Sequence, residues 1–245
     1  MKDNFSRQAD IYAKYRPHYP RELFDFIIKP VSNKRNAWDC ATGNGQSAKV
    51  LANHFEKVFA TDISQKQIDQ AEPAGNILYS LQPAEQTSFA DNTFDLITVS
   101  QALHWFATNR FYTEVARVAN PGCVFAAWSY SLLCVSPEID KLIRLFYTNV
   151  VGPWWDAERK YVDEEYKTIY FPFKEIKAPE FDMKYDWTLP ELEGFINTWS
   201  AVQKFIVANN YNPVPDLIQQ IKPHWKAETM KIRFPLHLRI GQVEK

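Results

Sequence analysis

The feature that most constrains this chain is an alternation. Short, almost wholly apolar runs recur between amphipathic segments: Ala37–Cys40, Lys57–Thr61, Asn76–Ser80, Phe94–Val99 and Cys123–Trp128. Strands without a polar face must be covered on both sides, and alternating helices supply the cover. Between the first two runs, Gln46 to Phe55 places Val50, Leu51 and Phe55 at helical spacing. Ser64, with Gln67 three residues on, opens a second helix as a capping pair. A third helix is predicted from about Arg110 to Val118, ended by Asn120-Pro121-Gly122. The pattern predicts an α/β fold with a doubly wound, mostly parallel sheet.

Beyond Trp128 the regularity fails. A helix is predicted near Glu138 to Val150, followed by Gly152-Pro153-Trp154-Trp155 and an aromatic, charged stretch to Phe173. Helical spacing returns at Leu192 to Val207 and Pro215 to Ile221. Met230 to Ile240 alternates as a closing strand, and Pro235 within it indicates a bulge or an edge. No linker-like stretch or internal repeat divides the 245 residues, so the expectation is one domain with an inserted lid.

The totals exclude several classes of partner. A formal net charge of -1 leaves no overall electrostatic footprint for nucleic acid or anionic lipid. No stretch approaches the roughly 20 apolar residues of a membrane span, and the N-terminus lacks the run of a signal peptide. Cys40, Cys123 and Cys134 are scattered, with neither disulfide nor zinc spacing. These readings predict a cytoplasmic protein, monomeric or homodimeric, without a metal, a nucleic acid or a membrane partner.

Gly is scarce at 7 residues, yet Gly43 and Gly45 stand two apart, directly after the first strand. Glycines there let the backbone approach a ligand, and the next helix begins with unpaired N–H groups. Gly43-x-Gly45-x-x-Ala48 with Asp62 further on fits a dinucleotide fingerprint as well as an S-adenosylmethionine (SAM) loop. Asp39 is the expected discriminator. Ending the first strand, it would repel a pyrophosphate but tolerate the cationic amino group and sulfonium of SAM. Its alternative role is to hydrogen-bond the loop. Asp62 either accepts ribose hydroxyls or simply sits exposed at a strand end.

The run Asp39-Cys-Ala-Thr-Gly43-Asn-Gly45 resembles the first motif of class I methyltransferases. Ala84-Glu85, Phe89 to Asp95 and Gln101-Ala-Leu-His104-Trp105-Phe106 are similar to their later motifs in order and spacing. More narrowly, Tyr15-Arg16-Pro17-His18-Tyr19-Pro20 and Thr198-Trp199-Ser200-Ala201 resemble segments of the trans-aconitate methyltransferase-like branch. One departure is Ala41, where many members carry glycine. The resemblance implies a Rossmann-like, seven-stranded sheet, mostly parallel with its last strand antiparallel. It makes residues 1–245 a single methyltransferase domain. Within it lie an N-terminal helical cover (1–35), a SAM-binding core (36–128), a substrate lid (129–229) and a closing strand (230–245).

By that likeness the cofactor is SAM. It is held by Arg16, Asp39, Ala41, Gly43, Gly45, Asp62, Ile63, Ala84, Glu85 and Gln101. Gly43 and Gly45 approach its methionine part, Asp62 its ribose and Ile63 its adenine, while Arg16 either engages its carboxylate or closes a helix with a salt bridge.

The acceptor is expected to be a small molecule, plausibly an acid. His104, after the fourth strand, is the candidate catalytic residue, as general base for a hydroxyl or amine or in a binding role for a carboxylate. Trp105, Trp154, Trp155, Arg159 and Trp199 form the expected substrate-facing set, with core packing or a solvated face as their ordinary alternatives. Competing functions are a nicotinamide-dependent oxidoreductase and a SAM-binding protein without catalysis.

Overall fold

The computed structural model describes residues 15–244. Its sheet is built from β1 (Asn36–Cys40), β2 (Lys57–Asp62), β3 (Ile77–Leu81), β4 (Phe94–Ser100), β5 (Ala119–Tyr130), β6 (Lys174–Glu175), β7 (Phe181–Thr188) and β8 (Thr229–Gln242). The order is β3-β2-β1-β4-β5-β8, with β6 and β7 also on β8. Gln242 pairs both Val124 of β5 and Lys174 of β6, and Leu236 pairs both Tyr130 of β5 and Phe181 of β7. Both short partners therefore lie on the edge of β8 away from β5, and eight strands fill seven positions. β1 to β5 run parallel, while β8 is antiparallel to all its neighbours. The fold is Rossmann-like, as expected.

The apolar runs are continuous because both faces are covered. In β5, Val124, Ala126, Trp128 and Tyr130 join one buried cluster, and Cys123, Phe125 and Ala127 the other. The first cluster takes Leu23, Phe24, Ile27 and Ile28 from helix α1 (Arg21–Ile28). Each such fully buried side chain contributes about 1.5–3 kcal/mol. The second is closed by Phe111, Tyr112, Val115 and Val118 of the helix Asn109–Val118 and by Tyr166 and Ile169.

Several boundaries differ from the sequence reading. The helix after the glycine loop, α2, is only Gln46–Leu51, with turns carrying the chain to Phe55. Asn120-Pro121-Gly122 does not separate helix from strand. It belongs to β5 as a bulge, since Phe94 pairs Ala119 but Leu96 already pairs Val124. The segment 129–229 is not wholly lid, because β6 and β7 lie in it and extend the sheet. Pro235 is not on an outer strand. β8 lies between β5 and β7, and the Pro235 carbonyl accepts the Ser131 N–H at 3.0 Å just past the last β5 pair. Its missing N–H faces the side where that ladder has ended. No helix among the described residues is long and apolar enough to cross a membrane.

Candidate functional site

A cleft opens where β1, β2 and β4 end, at the edge where open α/β sheets bind their ligands. Its near wall is the loop after β1, in which Ala41, Gly43 and Gly45 have φ of 54°, 58° and 83°. The Thr42 N–H donates to the Thr61 carbonyl at 2.9 Å and the Gly45 N–H to the Thr42 carbonyl at 3.0 Å, which lock the turn. Ala41 adopts a left-handed backbone that favours glycine, which explains why glycine also suits this place. Gly43 lines the cleft. Gly45 does not, and its glycine has another cause: a Cβ there would run into the Tyr79 hydroxyl.

Asp39 departs from expectation. It is fully buried beneath the loop, accepting the Thr42 hydroxyl at 2.5 Å and the Thr98 hydroxyl at 2.9 Å. Burial raises its pKa to about 6, although these hydrogen bonds and one from the Ala48 backbone oppose the shift. It does not face the cleft, so it cannot discriminate between cofactors by direct repulsion. Asp62 does line the cleft. Its two oxygens accept the Gly43 N–H and the Ser64 N–H, each at 2.9 Å. A carboxylate offers about four lone-pair sites, so it can accept from several donors at once.

From the opposite side come Gln101 and His104. Gln101 has φ of 52°; its amide oxygen accepts the Tyr130 N–H at 2.8 Å, and its own N–H donates to the Trp128 carbonyl at 2.8 Å. His104 stands in a 3-10 turn, Leu103–Trp105, with Nδ1 2.9 Å from the Tyr166 hydroxyl. Burial first, then the charge of Arg159, lowers the His104 pKa to about 3, with Asp156 opposing. The imidazole is neutral at physiological pH.

The far wall is aromatic and cationic. Arg159 opens the short helix Arg159–Asp163. Its guanidinium carbon lies 4.7 Å over Trp155 and 5.5 Å over Tyr147. Its Nε donates to the Tyr147 hydroxyl at 2.8 Å and reaches Asp163 at 3.4 Å. Trp199 packs against Tyr147 and Trp155 with centroids 5.7 and 5.9 Å apart. Arg16 crosses the mouth, donating to the Tyr130 hydroxyl and, at 3.4 Å, to the Thr198 carbonyl, and lies 5.5 Å over Phe195.

Of the anticipated residues, the cleft brings together Arg16, Ala41, Gly43, Asp62, Ile63, Gln101, His104, Trp105, Trp155, Arg159 and Trp199. Asp39, Gly45, Ala84, Glu85 and Trp154 stand outside it. Ala84 is buried in the core, Glu85 borders a separate surface depression beside Arg110, and Trp154 packs on Phe205. Sequence reasoning missed Tyr130, Ser131, Asp156 and Phe195, which also line the cleft. Nothing marks them in the sequence: Tyr130 ends β5, Ser131 and Asp156 stand in connecting segments, and Phe195 lies within the helix Leu189–Asn197. Among the described residues no group of three or more His, Cys, Asp or Glu is arranged to hold a metal. Tyr12, expected in the N-terminal cover, lies outside the described residues, whereas Arg16 and Tyr19 line the cleft.

Comparison with known proteins places these features. Residues 38–127 match the family model of the methyltransferase domain. A Dictyostelium discoideum protein carrying a methyltransferase name is 30% identical over 251 residues, covering 99% of this chain and 95% of that one. A Saccharomyces cerevisiae protein named as an S-adenosylmethionine-dependent methyltransferase is 26% identical over 170 residues, 64% of this chain and 56% of its own. A solved structure from Anaeromyxobacter dehalogenans, described as a type II methyltransferase, aligns with TM-score 0.85 at 34% identity, covering 94% of this chain and 98% of that one.

Proposed function

Because this chain belongs to the class I SAM-dependent methyltransferases, we propose that it transfers a methyl group to a carboxylate oxygen of a small organic acid. SAM is its cofactor. The cleft suits it. Gly43 presents backbone without a side chain, and the nearest atom to its absent Cβ is Gln67 Oε1 at 3.7 Å. Asp62, at the end of β2 on the cleft, would hold the ribose hydroxyls and Ile63 the adenine. Gln101 would lie under the methionine portion and Arg16 near its carboxylate. When bound, the cofactor supplies an electrophilic methyl group for in-line displacement.

The protein's task is then to aim the acceptor and keep water out. The observation that carries the reading is Arg159. Its Nε is engaged by Tyr147 and Asp163, its face is stacked on Trp155, and it borders the same cleft as Asp62. A stacked guanidinium in a partly desolvated site is suited to a carboxylate. A carboxylate is ionised at neutral pH and needs no base. A hydroxyl or protonated amine does, and the depressed pKa of His104 makes it a poor one. The resemblance to the trans-aconitate methyltransferase-like branch supports the same acceptor class. The segment from Arg16 to Tyr19 acts in this reading as a cover, since Arg16, Pro17 and Tyr19 border the cleft, whereas α1 after it is packed into the core.

The test is a tritiated-methyl transfer screen over organic acids, phenols and amines. Base-labile methyl esters of acids are the expected products. Label in phenols or amines alone would overturn the carboxylate assignment. No transfer to any acceptor, with SAM binding intact, would favour a non-catalytic SAM-binding protein.

A further inference from the structure

A second histidine serves the same cleft. β5 and β8 pair so that Ser129 stands opposite His237. Just past the end of β5, the Ser131 hydroxyl lies 2.6 Å from Nε2 of His237, across 106 residues of chain. On the other side of the ring, Nδ1 of His237 faces the Glu165 carboxylate at 3.6 Å, an electrostatic contact, and the same oxygen also pairs with Lys167 at 2.5 Å. Ser131 lines the cleft. The three side chains form a row running from a carboxylate at the surface to a hydroxyl at the site.

The backbone is bent to make this row. Glu165 and Tyr166 are consecutive non-glycine residues with φ of 59° and 61°. Left-handed geometry at two such neighbours costs free energy and persists where its surroundings enforce it. Here it sends Glu165 to His237, behind Ser131, and Tyr166 to His104, which lines the cleft. Arg239 fastens the bend by donating to the Tyr166 carbonyl at 2.8 Å and the Ile169 carbonyl at 3.1 Å.

The order of partners sets the polarity of the row. The negative charge near Nδ1 favours the tautomer with the ring proton on that side, which leaves Nε2 with a lone pair. Ser131 must then donate its only proton to Nε2, and the lone pairs of its oxygen are what it offers the cleft. A ligand group meeting Ser131 has to be a donor. Arg159 and Arg16 border the same cleft and are balanced there by Asp62 and Asp156, so charge does not call for an ammonium and a neutral hydroxyl suffices as the donor.

We propose that the Ser131–His237–Glu165 row selects organic acids that also carry a hydroxyl group, the acid held by Arg159 and the hydroxyl donating to Ser131. The proposal rests on the carboxylate reading given above. It makes Ser131 a specificity residue, and His237 and Glu165 positioning residues that act through it.

Calorimetry in the presence of S-adenosylhomocysteine tests it with two matched pairs, 3-phenylpropionate with its 2-hydroxy analogue and succinate with malate. In at least one pair the wild type should bind the hydroxylated member roughly tenfold more tightly, the scale of one neutral hydrogen bond. Ser131→Ala should bring that ratio near one while leaving the non-hydroxylated acid unaffected. Glu165→Gln, which loosens the hold on Nδ1, should lower the ratio and shift the His237 ring ¹⁵N signals away from the Nδ1–H tautomer. Equal binding within both pairs in the wild type, or a preference that survives Ser131→Ala, overturns the row and leaves the acid reading standing. Failure of all four acids to bind overturns both.

Discussion

Tyr166 sets its hydroxyl 2.9 Å from Nδ1 of His104, and this contact limits what the histidine can do. Burial holds the phenol protonated, with its pKa raised, and the backbone N–H groups of Leu103 and His104 bond its oxygen. The phenolic proton is left for Nδ1, so the neutral ring carries its own proton on Nε2. His104 therefore offers a donor and no free base. His104→Ala should lower kcat by less than about tenfold, against the roughly 10²–10⁴-fold contribution of a general base. A larger loss, with a wild-type rate that titrates near pH 6.5, would restore the base role.

The same depressed pKa predicts a dependence of stability on pH. His104 has a folded pKa near 3 against 6.5 in its model state. As pH falls below 6.5 the unfolded chain takes up this proton and the folded one does not. Stability is then lost by up to about 1.4 kcal/mol per pH unit across that window. Asp39 works in the opposite sense: with its pKa raised from 3.8 to about 6, its share of stability falls as pH rises across that range. The two slopes oppose one another where they overlap, so the wild-type curve alone is uninformative. Urea denaturation at pH 6.5 and 5 should show wild type losing about 1–2 kcal/mol more than His104→Phe. Parallel losses in the two proteins would refute a neutral, buried His104.

Asp62→Ala should weaken S-adenosylhomocysteine binding by about 1–3 kcal/mol, the cost of charged hydrogen bonds left unmade. The substitution also frees the Gly43 and Ser64 N–H groups, so loop damage has to be separated from ligand loss. Asp62→Asn is the control, since an amide oxygen can still accept one of those bonds. Calorimetry on both variants checks the assignment, and an unchanged Kd in folded Asp62→Ala would refute it.

Much of the fold was legible because both faces of the sheet are buried and its strands stand out as apolar blocks. β7 was also legible and was overlooked. Phe181-Asp-Met-Lys-Tyr-Asp-Trp-Thr alternates strictly, which is the mark of a half-covered strand. Asp62 and Gly43 could be placed because strand ends and glycine turns position their neighbours locally. Asp39 could not. Its position in the sequence is the same whether its carboxyl faces a ligand or turns beneath the loop to Thr42 and Thr98. Ser131, His237 and Glu165 were out of reach for a different reason. Their meeting depends on the β5–β8 register and on a left-handed pair with no glycine to announce it.

Gly45 tests a packing argument rather than a binding one. Gly45→Ala should destabilise the protein by about 1–3 kcal/mol, because φ is 83° and the new methyl meets Tyr79. Tyr79→Ala in the same chain removes the collision and leaves the backbone strain, so the loss attributed to Gly45→Ala should be smaller in that background. Additive effects in urea melts would show that Tyr79 is not the obstacle.

Hydrogen exchange addresses the cover. Protection at Tyr15 to Tyr19 should rise on adding S-adenosylhomocysteine, since Arg16, Pro17 and Tyr19 border the cleft. Equal exchange with and without ligand would leave these residues as a fixed wall.

Arg159 is the most direct test of the acceptor. If its guanidinium holds the substrate carboxylate, Arg159→Ala should raise KM for the acid by about 10–100-fold, the range of one charge-assisted hydrogen bond. Cofactor affinity should stay within about twofold, because ribose and adenine are assigned to Asp62 and Ile63 on the other side of the cleft. Arg159→Lys keeps the charge but loses the planar fork and the stacking on Trp155. It should recover only part of the loss. The same substitution to alanine removes a charge that depresses His104, so the His104 ring should titrate at higher pH in the variant. NMR of the imidazole reads that shift without any substrate. A shifted His104 with an unchanged KM for every accepted acid would confirm that the Arg159 charge reaches His104 while refuting its role in holding the acid.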